Sequence, residues 1–128
     1  MTTEFNVTLE NRPGTLAELG EALGRAGVNV EALQAVVMDG EGRLRFVTGD
    51  TEAAQQALLL GGFRYSKREV LVVHVLNEPG TLGDVARVMA EAGVNIESVY
   101  VTVGGNVVLS VDDLPGALQV ASGMAVTI

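Results

Sequence analysis

The chain has 128 residues, of which 48% are hydrophobic, so it can form one ordinary domain or two very small ones. Its formal net charge of -8 argues against nucleic acid as a partner, because affinity for phosphates rests largely on Lys and Arg. No apolar stretch approaches the roughly 18–20 residues of a membrane helix, no secretory signal is evident, and the absence of cysteine excludes disulfides, so we expect a cytoplasmic protein.

The first predicted element is a strand, because apolar and polar residues alternate from position 5 to position 9. Leucines spaced three and four apart between positions 16 and 23 then predict a helix with one apolar face. Thr15 and Glu18 stand at the spacing of a capping box, which predicts that the helix begins there.

A hairpin, a second helix and a fourth strand complete this first set of elements. The hairpin is expected to consist of a strand at 28–38, a turn at Asp39-Gly40-Glu41-Gly42 and a strand at 43–48. The second helix is predicted from Asp50 to Leu60, and the fourth strand covers 63–69.

The same order of elements recurs in the second half of the chain. Asn11-Arg12-Pro13-Gly14-Thr15-Leu16 returns 66 positions later as Asn77-Glu78-Pro79-Gly80-Thr81-Leu82, and residues 26–31 return at the same offset as residues 92–97. Thr81 and Asp84 repeat the capping-box spacing. The turn of the second hairpin shortens to Gly104-Gly105, a helix follows at 112–122, and the last strand is cut short at 124–128.

Each repeat therefore reads as strand-helix-strand-strand-helix-strand, with domains at 1–69 and 70–128. This order is that of ferredoxin-like α+β folds, in which an antiparallel sheet carries its helices on one face. No segment rich in Pro, Gly or Ser separates the repeats, so the fourth strand of the first is expected to continue into the first strand of the second.

The loop between the first strand and first helix is the best candidate for a functional site. Pro13 fits the start of a helix, and Gly14 permits close approach of a ligand. The N-terminus of the helix offers unpaired N–H groups that favour an anion. The side chain of Asn11 has both a donor and an acceptor. Because Arg12 is replaced by Glu78 in the second copy, we expect the first loop to favour the carboxylate of a ligand more than the second does.

Taken together, the strand, the Asn-x-Pro-Gly-x-Leu loop, the amphipathic helix and the Gly-Val-Asn-Ile-Glu segment resemble the ACT domain, an amino-acid-binding regulatory module. The resemblance implies that an effector lies at an interface between ACT domains, against this loop and the start of the second strand. Carried over residue by residue, it assigns to the site Asn11, Arg12, Pro13, Gly14, Thr15, Leu16, Asn29 and Val30, with Asn77, Pro79, Gly80, Thr81, Leu82, Asn95 and Ile96.

Alternatives remain for each part of this assignment. The loops also make good turns without any ligand, and an Asn after a helix-ending Gly, as at Asn29 and Asn95, often satisfies local backbone groups. Members of the family that sense serine carry a His two residues before the loop Asn, whereas this chain has Leu9 and Val75 there. The resemblance therefore does not assign serine as the ligand.

The function predicted from the sequence is a regulatory protein that binds a small amino acid and signals to a metabolic enzyme or regulator. No nucleophile paired with a base, phosphate-binding glycine motif or metal-ligand cluster is visible, so we expect no enzymatic activity, no cofactor and no metal. The small size of each repeat and the apolar first strand of the second favour a homodimer. The alternative is an assembly subunit that binds a catalytic partner, with loops that are purely structural.

Overall fold

The computed structural model describes residues 2–121 and the backbone of residues 126–127. In chain order its elements are β1 (Thr2–Glu10), α1 (Thr15–Arg25), β2 (Val30–Met38), β3 (Glu41–Thr48), α2 (Thr51–Leu60), β4 (Arg64–Val73), α3 (Thr81–Glu91), β5 (Ile96–Val101), β6 (Val107–Val111), α4 (Leu114–Ala121) and β7 (Val126–Thr127). The chain divides into two compact units, one of residues Thr3–Arg68 and one of Glu69–Ile128 with the first two residues.

The first unit is a complete βαββαβ set. Its strands lie in the order β2-β3-β1-β4, with β3 antiparallel to both β1 and β2. One face of this sheet carries both helices, because Phe5 and Phe46, which are paired across β1 and β3, pack in one buried cluster with Leu19 of α1 and Leu58 of α2. The two phenylalanine rings stack with their centroids 5.1 Å apart. The predicted α+β fold with helices on one face is confirmed in this unit.

The second unit repeats the arrangement with shorter strands. Strand β6 lies between β4 and β5 and is antiparallel to both, and β7 pairs with β4. Leu71 and Leu109 face α3 and α4, where Met89 and Ala117 are fully buried in the same cluster. The expectation of a fourth strand that continues into the next repeat is also confirmed, since β4 runs without interruption from Arg64 to Val73.

Several predicted bounds need correction. Strand β2 begins at Val30 rather than at 28, and β3 begins at Glu41, because the turn contains only Asp39 and Gly40, whose φ angles of 53° and 77° suit a two-residue hairpin turn. The second helix begins at Thr51, and Asp50 caps it by accepting a hydrogen bond from the backbone N–H of Ala53.

In the second repeat, β4 ends at Val73, and residues 74–76 belong to no strand. The hairpin turn is also longer than Gly104-Gly105: it spans Thr102 to Asn106, where the N–H of Thr102 donates to the carbonyl of Asn106. The expected end of the last helix at 122 and most of the expected strand at 124–128 lie outside the described residues.

Candidate functional site

The first candidate loop connects β1 to α1 through a left-handed glycine. Gly14 has φ 95° and ψ -14° and occupies the N-cap position of α1. A residue with a side chain is strained in this region of backbone space, which is why glycine is suited to the position. The chain therefore reverses direction sharply between Glu10 and Thr15.

The hydroxyl of Thr15 fastens this loop. It donates to the backbone carbonyl of Glu10 at 3.0 Å and lies 3.3 Å from that of Arg12. Since Thr15 is only 9% exposed, the bond ties the end of β1 to the start of α1 in a sheltered position.

The second loop has the same backbone geometry. Gly80 has φ 93° and ψ -15°, and the hydroxyl of Thr81 lies 2.8 Å and 2.9 Å from the carbonyls of Leu76 and Glu78. Thr81 is half-buried, so the hydrogen bonds of its hydroxyl are more accessible to water than those of Thr15. Two loops separated by 66 residues thus adopt one conformation.

The capping-box predictions are wrong in both repeats. Thr15 and Thr81 each follow the N-cap glycine, and neither N-cap makes a side-chain hydrogen bond to its helix. The threonine hydroxyls turn back to the loop instead. Each helix consequently begins with backbone N–H groups that no side-chain cap satisfies, which is the condition under which a helix start binds an anion.

Arg12 dominates the electrostatics of the first loop. Its Nε lies 2.8 Å from Oε2 of Glu10, and its Nη1 lies 3.4 Å from Oε1 of Glu18. Hydrogen bonds to Glu10 and then to Glu18 raise the pKa of the Arg12 guanidinium above its ordinary value. A ligand carboxylate that binds Arg12 therefore competes with these two carboxylates for the guanidinium.

Two clefts border the first loop. The larger, of about 550 Å³, lies between the loop, the β2–β3 turn and the segment after α2, and its lining includes Asn11, Arg12, Thr15 and Glu41. A volume of this size is within the range of small-molecule sites, about 300–1,000 Å³. The smaller groove, of about 220 Å³, extends from Asn11 and Leu16 to Val37 on β2.

The structure brings together only part of the predicted residue set. Neither cleft is lined by Asn29 or Val30: Asn29 is exposed, and Val30 packs against the core of the first unit. In the second repeat, Ile96 likewise packs against the core, and the backbone N–H of Asn95 donates to Asp112 Oδ1 at 2.9 Å. The remaining loop positions, Pro13 with Asn77, Pro79 and Leu82, are all exposed.

Sequence reasoning missed the residues that form the far walls of the clefts. These come from the β2–β3 turn, from β2 and from the segment that follows α2, and they include Gly61, Phe63, Arg64, Ala35 and Arg43. The paired glycines at 61–62 were an available signal of a turn, but nothing local in the sequence places that turn beside Arg12.

Within the described part of the chain, no group of three or more His, Asp or Glu side chains is arranged to hold a metal ion. Among the same residues, no helix combines the length and apolar character needed to cross a membrane.

Comparison with known proteins gives matches in family and in structure. The model of the ACT domain family matches residues 3–58 and 70–119. No curated protein matches the chain. The solved structure of the protein BT0572 from Bacteroides thetaiotaomicron is 26% identical and superposes with a TM-score of 0.91, covering 99% of this chain and 92% of that one.

A second solved structure shares the fold at lower identity. The ligand-free regulatory subunit of aspartate kinase from Thermus thermophilus is 20% identical, with a TM-score of 0.70 and coverage of 96% of this chain and 91% of that one. At this identity the likeness concerns the fold alone.

Proposed function

Because the chain belongs to the ACT domain family, we propose that it is a regulatory protein without catalytic activity that binds a small amino acid at its strand-to-helix loops. In this proposal the repeats at 1–69 and 70–128 are the domains, the ligand lies at an interface between ACT units, and the protein signals from the cytoplasm to a metabolic enzyme or regulator. The protein functions as a homodimer.

One observation carries the proposal: each loop ends at an uncapped helix start, held in place by a threonine hydroxyl. A ligand carboxylate at such a helix start gains about 0.3–1 kcal/mol from the helix dipole, and hydrogen bonds to backbone N–H groups add to this. Because Thr15 and Thr81 already fix the two loops, little ordering cost is left for the ligand.

The 550 Å³ cleft supplies groups for the other end of an amino acid. Glu10 and Glu41 line it together with Arg12 and Arg64, and Arg64 Nη1 lies 3.4 Å from Glu41 Oε2. An amino acid is a zwitterion, so its carboxylate can bind an arginine in place of a glutamate, and its ammonium group can bind a glutamate in place of an arginine. Sites of this exposure bind ligands of fewer than ten heavy atoms in roughly the micromolar to millimolar range, which suits metabolite sensing.

Signalling would follow from differential binding. An amino acid can shift an assembly only by its preference for one arrangement of the ACT units, which is commonly about 1–3 kcal/mol of coupling. The proposal thus requires a moderate affinity for the amino acid and a measurable difference in the arrangement of the ACT units between the liganded and the free assembly.

A thermal-shift screen of the twenty amino acids tests the proposal. At a hundred times its dissociation constant, the true ligand stabilises the folded protein by about 2.7 kcal/mol and raises Tm by several degrees. Asn11→Ala should reduce the shift, since Asn11 lines both clefts. Gln56→Ala, which removes an exposed amide from α2, should leave the shift unchanged. A flat response to all twenty amino acids contradicts amino-acid binding.

A second candidate function is an assembly subunit for a catalytic partner. It is favoured by Leu59 and Leu60, which are 60% and 90% exposed at the end of α2. Under this alternative the thermal-shift screen stays flat, and Leu60→Ser weakens capture of the partner from its native extract.

A further inference from the structure

The 220 Å³ groove beside the first loop follows a gap in the side chains of the sheet. Strand register makes Val37 of β2, Gly42 of β3 and Leu9 of β1 neighbours in one row. The row lies on the helix side of the sheet, because Leu9 packs against the core beneath the helices. Gly42 has no side chain, so a space is left between Val37 and Leu9. We call this space the aliphatic slot and define it by six residues that line the groove, Leu9, Leu16, Ala35, Val37, Gly42 and Leu44.

The floor of the slot has little room for a side chain. A Cβ atom at Gly42 would lie 3.3 Å from Cβ of Leu9 and 3.2 Å from its backbone oxygen. Opposed residues of antiparallel strands usually have their Cβ atoms about 4.5–5.5 Å apart. Glycine at this position therefore permits the close approach of β1 and β3 and leaves the slot open.

The walls of the slot are aliphatic. Ala35 pairs with the buried Leu44 in the next row on the same side of the sheet, and it contributes only a methyl group. Leu16, in the first turn of α1, and Val37 are 52% and 57% exposed. An apolar group that covers such side chains gains about fourfold in affinity for each methylene removed from water.

The groove also holds the polar groups that an amino acid requires. Asn11 and Arg12 of the first loop line it, together with Glu10 and Arg43. Because these groups and the slot share one groove of about 220 Å³, an amino acid whose carboxylate binds Arg12 can lay its side chain in the slot. The groove thus offers charged groups to one end of a ligand and apolar walls to the other.

The second hairpin does not form an equivalent slot. Counted from the register shift that both hairpins contain, the pair of Val101 and Val107 corresponds to the pair of Ala35 and Leu44. The row that would correspond to Val37 and Gly42 falls within the turn from residue 102 to residue 106. The slot is therefore a feature of the first repeat.

We propose that the aliphatic slot holds the side chain of the ligand, so that the first site takes an amino acid with a branched aliphatic side chain, as in valine, leucine and isoleucine. This inference rests on the proposed function, which accounts for the binding of the carboxylate and ammonium groups. Alanine leaves most of the apolar surface of the slot in water. A polar side chain of the same shape loses its hydration against aliphatic walls.

Pairs of amino acids with similar shapes test the slot. Valine and threonine differ by a methyl group in place of a hydroxyl, and leucine and asparagine are likewise similar in outline. Isothermal titration of the full chain should show that valine binds about tenfold tighter than threonine, and leucine about tenfold tighter than asparagine. Equal affinities within both pairs, or a preference for the polar members, overturn the slot and leave the proposed amino-acid binding standing.

Substitution of a wall residue gives a matched comparison between the repeats. Leu16→Gln should weaken the binding of leucine by about fivefold, because the contact with an apolar wall is lost. Leu82→Gln, at the same position of the second loop, should leave this affinity unchanged. Both leucines are exposed, so folding should persist, which circular dichroism verifies. An equal loss in the two variants contradicts the assignment of the side chain to the first repeat.

A substitution that fills the slot separates blocking from general distortion of the site. Ala35→Leu should weaken the binding of leucine by about tenfold or more and that of alanine by less than about twofold, because alanine scarcely enters the slot. Val101→Leu, at the corresponding strand position of the second unit, is the control and should change neither affinity. A preference for leucine over alanine that survives in Ala35→Leu overturns the proposal. A flat response to every amino acid contradicts the proposed function and the slot together.

Discussion

The loop of the first repeat and the loop of the second reach one backbone conformation with different side chains. Gly14 and Gly80 differ in φ by 2°, from 95° to 93°, and both loops are fastened by a threonine hydroxyl. The residue that follows the loop Asn, however, differs between the two loops. Arg12 of the first loop is bound to Glu10 and Glu18, whereas its counterpart in the second loop, Glu78, is exposed and forms no ion pair among the described residues. Backbone geometry and charge have thus been set independently.

This comparison separates what the loops require from what each can recognise. Proline, glycine and threonine suffice for the shape, because they act through backbone angles and a hydrogen bond to main-chain carbonyls. The preference for a ligand or partner is left to the variable position between Asn and Pro. The following substitutions test that separation.

The largest expected effect comes from removing the threonine hydroxyl of the first loop. Thr15→Val removes the hydroxyl from both carbonyls: that of Glu10 keeps the N–H of Arg12 as a donor, whereas that of Arg12 loses the hydroxyl, and the free energy of unfolding should fall by about 1–3 kcal/mol. Thr81→Val should cost less, because the half-buried second loop lets water replace the hydroxyl. Urea denaturation measures both, and Thr15→Ser, which keeps the hydroxyl, is the control. Equal losses in the two loops would show that burial does not distinguish them.

The N-cap glycines should respond alike in the two repeats. Gly14→Ala and Gly80→Ala each force a side chain into a left-handed conformation, which costs about 1–2 kcal/mol of stability. Gly20→Ala, inside α1 with open space around the added methyl, is the matched control and should stabilise by up to about 1 kcal/mol. Thermal unfolding measures the stability of the three variants. A loss of stability in only one of the two loop variants would contradict the conclusion that the loops share one backbone conformation.

The smallest expected effect concerns charge and ligand affinity. Under the proposed function, Arg12→Glu should weaken binding of an amino acid by about two- to fivefold, as expected for an exposed, screened charge. Arg25→Glu, at the far end of α1, is the matched control and should change affinity little. Isothermal titration measures this. Unchanged affinity in Arg12→Glu together with loss of binding in Glu78→Arg would show that the sites have been assigned to the wrong loops.

The fold could be predicted from the sequence because the patterns that indicate it are local and occur twice. Leucine spacing in α1, alternation in β1 and the offset of 66 residues each depend on neighbours along the chain. The errors occurred where two local rules compete. At Thr15 the sequence suggested a capping box, but Gly14 takes the N-cap position and the hydroxyl bonds back to Glu10.

Only part of the candidate site could be predicted from the sequence. The loop residues from Asn11 to Leu16 were identified from their pattern and line the clefts in part. Asn29 and Val30 were added through the family resemblance, yet neither lines the clefts, and their place in the site remains a prediction.

By itself the sequence determined the repeat, the α+β class, the sharp loops and the difference between Arg12 and Glu78, since each is carried by residue type and spacing. Only the tertiary structure decided that Arg12 is held by Glu10 and Glu18, that Arg64 and Gly61 complete the cleft, and that β2 pairs with β3 alone among the described residues. The physical reason is range: backbone preferences act over a few residues, whereas a cleft or a sheet edge depends on how residues dozens of positions apart pack.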